Sequence, residues 1–362
     1  MKHGKRFLSP CTAAGHIKIK RQYRSCPACG DSLFAADKAL GIEDGYTGGA
    51  RQVITLAGGS WGFLQSSMML KRFLGISVSS KTISRICYQS GEEVAAWQQT
   101  AVACEELKTA QGDKEFTTDA TSVNTKEDGW RMMYIALFSK RKRGASCKPE
   151  EWDKRDLPKP ERTIAIAAIE KLEDFKHRWQ PFRKLLNFEG YRGITALADG
   201  AAGLWNAIEE MFYEPEEVID VYHVLEHVSA CGKTLYPKKE EFDSWRNETT
   251  LELLRENGYA NFMCRLLVLK EYYSCKRPEE EKFLAVCDLE KYLVKQKGRM
   301  NYFERLELGR SIGSGQVEGA CKSLVGRRLK RSGACWRIAN ANRMSAVCAI
   351  LYTEQWESYW KP

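Results

Sequence analysis

Three acids, far apart along the chain, carry the chemistry that this sequence can do. Asp119 lies inside the extended run KEFTTDATSV, Asp199 ends the apolar run GITALADG, and Glu318 follows the glycine-serine step of GSGQVEGACKSLVGRRLKR. Mg2+ and Mn2+ take carboxylate oxygens, and several are needed to hold two ions together for phosphoryl transfer. An acid on a strand, one at a strand end and one on a late helix meet that need if the fold gathers them. Behind Glu318 comes a basic face, Lys322, Arg327, Arg328, Lys330 and Arg331, closed by Trp336. Such cations neutralise phosphates, and an indole offers a face to an unstacked base, so the substrate class suggested is a polyanion. Each acid also has a plainer role open to it. Asp119 could face solvent from an edge strand, Asp199 could cap the helix that follows, and Glu318 could be a first-turn acid favoured by the helix dipole.

Two further positions stand near the second acid. Asp220 and His223 form a DxxH step after the run VID, and three residues apart at a helix start they share a face. His227, one turn on, reads as a supporting or ordinary buried polar residue, and Trp205 reads as core.

The elements that must position these residues follow from periodicity. Residues 16 to 25, HIKIKRQYRS, alternate apolar and basic side chains, the period of a half-exposed strand, and lead into Cys26-Pro-Ala-Cys29-Gly. That turn resembles half of a zinc ribbon. Only Cys11 and His16 lie nearby as third and fourth Zn2+ ligands, and a turn with two free thiols is the other reading. Residues 50 to 100 read as helices. Within them Gly75 ends one helix and a serine caps the next, with Lys81 and Arg85 on its outward face. This is either a helix-turn-helix DNA contact or a plain helical hairpin.

From about 113 the period becomes that of strands: KEFTTDATSV, GWRMMYIALFS and, after a basic, proline-containing loop, RTIAIAAIE. A helix over DFKHRWQPFRKLLNFEG, the strand ITALAD, the helix LWNAIEEMF and the short strand VIDVY come next. The pattern between Val224 and Leu308 is helical and charged. Hairpin strands followed by alternating strands and helices describe a mixed sheet flanked by helices, an α/β fold of ribonuclease H-like order. The divisions expected are 1–45, a basic strand and CxxC region; 46–110, a helical domain; 111–223, the first part of the core; 224–310, an all-α insertion; and 311–362, the closing helices.

Composition agrees with this reading. The chain has 362 residues, 43% hydrophobic and 28% charged, and a net charge of +9 that leans towards a polyanionic partner. No apolar run approaches the roughly 20 residues of a membrane span, so no membrane partner is expected. The basic start MKHGKRFLSP has neither an apolar segment nor a small-residue cleavage site, so a cytoplasmic location is expected. Thirteen cysteines, an odd number set mostly in apolar helical patterns, argue against a disulfide framework.

The segments TTDATSV, GWRMMYIALFS, ITALADGAAGLWN, VIDVYHVLEH and GSGQVEGACKSLVGRRLKRSGACW occur in one order. In that order the chain resembles bacterial insertion-sequence transposases of the Kra type, relatives of the Mutator-like DDE group, from the CPACG region to the C-terminal YW. The resemblance implies a ribonuclease H-like catalytic domain interrupted by an all-α insertion. It also implies Asp119, Asp199 and Glu318 as the Mg2+- or Mn2+-binding triad, Asp220 and His223 beside the active site, double-stranded DNA as partner, association with the nucleoid and a homodimer that holds two element ends. Such transposases usually carry a longer region before the ribbon strand, so weakened end recognition or zinc binding is expected here. The expected activity is cleavage at element ends and joining of the 3′-hydroxyl to target DNA. The alternatives are a non-catalytic or truncated transposase-derived DNA-binding protein, or a ribonuclease H-like nuclease without strand transfer.

Overall fold

The computed structural model of the chain describes residues 2–30, 32–190, 193–276 and 279–361. Ten strands occur among them: β1 Lys2–Leu8, β2 Cys11–Thr12, β3 Gly15–His16, β4 Ile19–Ser25, β5 Ser32–Phe34, β6 Asp113–Thr125, β7 Gly129–Arg141, β8 Arg162–Ile169, β9 Ile194–Ala198 and β10 Glu216–Ile219. The N-terminal strands make a three-stranded sheet in the order β1-β4-β5 and the small hairpin β2-β3. The Cys26–Cys29 turn joins β4 to β5.

The large sheet is mixed, with the order β10-β9-β6-β7-β8. β7 runs antiparallel to both β6 and β8, while β9 is parallel to β6 and β10 to β9. One strand in five therefore opposes the others. Alternation along β7 sends Ala136 and Phe138 to one face and Ile135 and Leu137 to the other, because successive side chains leave a strand on opposite sides. On the first face Phe116 meets Phe138, its cross-strand partner, and the layer is completed by the helices Trp179–Leu185 and Ala202–Met211 and by the helical segment from Val221 onward. On the second face Val123, Met133 and Ile135 pack with Val317 and Leu324 of the late helical run and with Met344 and Val347 of the helix Ile338–Tyr352.

The helices between 46 and 110 share that second core. Gly75 takes a left-handed φ of 67° after the helix Phe63–Leu74, and Ser79 caps the helix Ser80–Gln98 by accepting from Thr82 N, as the sequence suggests. The helix Ser80–Gln98 buries Ile83, Ile86, Cys87 and Val94 against the helix Ile338–Tyr352. At their crossing a Cβ on Gly91 would stand 2.1 Å from the Arg343 carbonyl oxygen, so only glycine allows this approach. Asn342 then closes the edge of β8 by accepting from Ile169 N at 2.8 Å.

Three boundaries differ from expectation. The run VIDVY stops being a strand at Ile219, because the Asp220 carboxylate accepts from Tyr222 N and His223 N and starts the helix Val221–Leu235. The expected helix over DFKHRWQPFRKLLNFEG breaks into Leu172–His177 and Trp179–Leu185, next to Pro181, whose ring lacks the N–H of a continuous helix. The run LELLRENGYANFMCRLLVLKEYY, helical in its pattern, divides at Asn257, which adopts a left-handed φ of 57° between the helices Lys239–Leu254 and Gly258–Ser274.

Candidate active site at the carboxyl ends of the parallel strands

Register sets the acids at one level. The parallel pairing of Thr117 with Leu197 continues by two residues to Asp119 and Asp199, and that of Ile219 with Ala198 continues by one to Asp220 and Asp199. Asp199 and Asp220 each follow the last residue of a strand, and Asp220 N donates to Ala198 O at 3.0 Å. The carboxyl ends of β9 and β10 thus present Asp199 and Asp220 level with Asp119, which lies midway along the longer neighbouring strand β6. This edge is where open α/β sheets place ligands.

Asp119 has the same parity along β6 as Val123, which packs on the second face, where the late helical run lies. That run begins with the helix Gly315–Ala320, passes through a π-helical stretch Cys321–Gly326 and ends in Arg327–Leu329. The thiol of Cys321, one turn after Glu318, donates to Asp119 Oδ2 at 3.4 Å, and Ala120 N donates to Oδ1 at 2.6 Å. Burial holds the Asp119 carboxyl above its ordinary pKa, and the negative charges of Asp199 and Glu318 push it the same way. Burial followed by the Asp119 charge raises the Cys321 thiol as well. Cys321 escaped the sequence reading, although its i,i+3 spacing from Glu318 marks a shared helix face.

Each remaining acid has a local partner. Asp199 Oδ1 accepts from Ala201 N at 3.0 Å, two positions before the N-cap residue Ala201 of the helix Ala202–Met211, and Trp205 Nε1 donates to Asp199 O at 2.7 Å from a fully buried indole. Glu318 is exposed and paired with Lys322 at 2.5 Å. Asp220 is 7% exposed and makes the most contacts. Its Oδ1 caps its own helix, while its Oδ2 accepts from both Ser314 N and Ser314 Oγ, the latter at 2.6 Å. Asp220 therefore pins the GSG step, and with it the start of the Glu318 helix, onto the sheet edge.

Among the described residues no three His, Cys, Asp or Glu side chains are gathered closely enough to hold a metal ion together. Charges act over a longer reach than a metal–oxygen bond of about 2.0–2.6 Å, so the acids are electrostatic neighbours without forming a closed ligand cage. The donor set fits a hard divalent cation. It is oxygen only, and Asp119 carries a charge that burial and two neighbouring carboxylates disfavour, a load that a cation relieves. The exposed Glu318–Lys322 pair is worth about 0.3–0.5 kcal/mol, too little to keep Glu318 from a stronger partner.

His223 and the helical insertion close over Asp199. A Cβ on Gly200 would lie 3.2 Å from His223 Nε2 and 2.9 Å from the Tyr292 ring, which leaves room for glycine alone. Tyr292 stacks on His227 with ring centroids 3.7 Å apart. Burial, then the charges of Asp199 and Asp220, raises the Tyr292 hydroxyl pKa, and burial lowers that of His227. Helical periodicity of the insertion gives no sign that Tyr292 faces the acids.

The basic face divides. Lys322, Arg327, Lys330 and Arg331 are exposed, and Lys330 Nζ donates to Thr121 Oγ1 on the Asp119 side of β6. Arg331 is docked on the helical region through Ser60 O at 3.0 Å and Gln65 Oε1 at 3.2 Å. Arg328 and Trp336 correct the expectation. Arg328 is 4% exposed, donates to Gly58 O at 2.7 Å and lies over the rings of Phe63 and Trp336. Trp336 is 8% exposed and donates to Leu329 O. Buried against each other, neither has a face open to a ligand, and of this run's cations only Lys322, Arg327, Lys330 and Arg331 reach solvent.

At the N-terminal end Lys81 is exposed, whereas Arg85 is held by Asp44 at 2.5 Å. Cys26 and Cys29 are exposed in their turn, and hydrogen bonds from Cys29 and Ala28 lower the Cys26 pKa. Cys11 is buried, and His16 Nδ1 lies 3.4 Å from Ser9 O. Among the described residues no third His, Cys, Asp or Glu side chain is gathered with Cys26 and Cys29. No helix among the described residues is long and apolar enough to cross a membrane. Compared with known proteins, the chain matches no family model and no curated protein sequence.

Proposed function

We propose that the chain is a metal-dependent DNA transposase that cuts phosphodiester bonds at element ends and joins the freed 3′-hydroxyl to target DNA. The observation that carries this reading is that Asp119 and Asp199 stand level on neighbouring parallel strands while the helical run of Glu318 is held against Asp119 through Cys321. The strand order supports a ribonuclease H-like core, since the first strand, β6, is central and only the second, β7, opposes the rest. Mg2+ or Mn2+, held by Asp119, Asp199 and Glu318, would supply activation of the attacking oxygen and stabilisation of the leaving oxygen.

The chain's own side chains do the positioning. Asp220 fixes the entry to the Glu318 helix through Ser314, and Trp205 fixes the Asp199 backbone from below. His223 and Tyr292 wall the site on the insertion side and limit water. Exposed Arg327 and Lys330 meet phosphates of double-stranded DNA. A homodimer holding two ends belongs to this proposal. A nuclease without strand transfer would use the same residues and differ only in its products. Purified protein given labelled end-containing DNA and Mg2+ tests the reading: joined products support transposition, nicks alone support the nuclease, and binding without nicks refutes an enzyme.

A further inference from the structure

The loop between β7 and β8 is more than a connection. Its residues from Trp152 to Pro160 fold against the chain that enters the Glu318 helix, and the two enclose a cleft of about 320 Å³. That volume lies at the small end of the range of about 300–1,000 Å³ for ligand pockets, room for one compact ligand. Cations Arg141, Arg155 and Lys159 line it, together with Gln316 and the rings of Trp152 and Tyr222, whose centroids are 5.5 Å apart with planes 44° from each other.

The cations are not equivalent. Arg141 is committed to structure, with Nε on Glu115 Oε2 at 2.8 Å and Nη1 on Pro158 O at 2.5 Å. Arg155 is partly buried and donates from Nη1 to Arg310 O at 2.8 Å. Among the described residues no carboxylate pairs with Arg155 or Lys159; of the acids in the same loop, Glu150 pairs with Arg255 and the half-buried Glu161 with Lys142, while Glu151, Asp153 and Asp156 are exposed. Desolvation lowers the Arg155 pKa, as expected of a guanidinium drawn from water without a counter-charge. Such a group is costly unless an anion completes it. Beside it stand two aromatic faces, one of them on Tyr222, which is 59% exposed. Cations without acids next to stackable rings suit a phosphate that carries a planar base.

Position adds the second argument. Tyr222 is two residues beyond Asp220, and a Cβ on Gly313 would stand 3.4 Å from Asp220 Oδ2 and 3.7 Å from the Tyr222 ring. The cleft therefore abuts the Asp220–Ser314 clamp, beside the edge that carries the acids. We propose that it takes one unpaired nucleotide of a DNA end, with the base against Trp152 and Tyr222 and the phosphate against Arg155 and Lys159. This rests on the transposase reading above, and it adds to that reading a site that selects ends with a frayed or single-stranded terminus. A free nucleotide shares the same chemistry, so the test separates the two sources.

The probe is an end-containing duplex with a short unpaired extension carrying 2-aminopurine, compared with the same duplex made blunt. Wild-type protein is expected to prefer the extended form and to quench 2-aminopurine on binding. Trp152→Ala and Lys159→Glu should each cut that preference about tenfold, the scale of one lost base stack or phosphate contact. Both side chains reach the surface, and a melting curve for each variant confirms its fold. Asp119→Asn, which removes cleavage, should keep the preference intact. Protein that nicks DNA yet binds both duplexes equally, or variants that retain the full preference, overturn the cleft assignment while leaving the transposase reading standing. Protein that neither nicks nor binds duplex DNA overturns both. Displacement of the probe by dAMP at concentrations matching the oligonucleotide would make the cleft a free-nucleotide site and overturn its assignment to DNA ends.

Discussion

Replacing Asp220 with alanine tests whether one buried carboxylate ties the third acid to the sheet. The side chain accepts from Tyr222 N at 2.7 Å and His223 N at 3.2 Å through one oxygen, and from Ser314 N and Oγ through the other. Losing the helix cap costs about 0.5–2 kcal/mol. Leaving the buried Ser314 N–H without a partner costs about 1–3 kcal/mol more. The expected destabilisation is therefore about 1.5–5 kcal/mol in urea unfolding, reaching the large end for a single substitution. Ser314→Ala removes only the hydroxyl bond and should cost about 1 kcal/mol. Because the two residues share that bond, the double variant should be less destabilised than the sum of the singles. Activity should fall with position: a displacement of about 1 Å in the Glu318 helix is enough for a loss on the order of a hundredfold in nicking. An Asp220→Ala protein within about 0.5 kcal/mol of wild type, the range of an ordinary surface change, would refute the clamp.

Two more outcomes follow from the site. The Asp119 pKa is raised on folding, so its contribution to stability is fully present below the ordinary carboxylate value and is lost as pH rises through the folded value. In chelator at neutral pH, Asp119→Asn should melt above wild type, with the gap closing as pH falls below the ordinary range; Mg2+ should then raise the melting point of wild type only. Arg327→Ala should make the logarithmic salt slope of DNA binding shallower by about one unit. Arg328→Ala should leave that slope unchanged and instead cost stability, about 1.5–3 kcal/mol for the lost hydrogen bond from a charged donor to Gly58 O.

Strands were legible in the sequence where an apolar run of strand length is bounded by polar or turn residues. β6, β7 and β8 occupy the runs that their period marks, because a two-faced sheet needs apolar side chains on both sides of β7. Gly75 and Ser79 were legible for the same reason, each being the residue that its backbone position favours. The basic face after Glu318 was not. Arg327 and Arg328 are successive helical residues and leave the helix in different directions, so with Arg327 exposed Arg328 turns inward against Trp336. Tyr292, Cys321 and the Trp152 cleft were hidden for a different reason. Each takes its meaning from a partner more than 60 residues away, which no local period encodes.

The central claim is that Asp119, Asp199 and Glu318 act as one site, and Mg2+-dependent nicking of end-containing DNA measures it most directly. Asp119→Asn, Asp199→Asn and Glu318→Gln keep shape and remove charge, so each should fold, bind DNA and lose on the order of a thousandfold in rate, about 4 kcal/mol of transition-state stabilisation. A double variant should be hardly slower than a single one, because residues that act as a unit are not additive. A folded, DNA-binding variant at any of the three positions that cuts at the wild-type rate would contradict the claim.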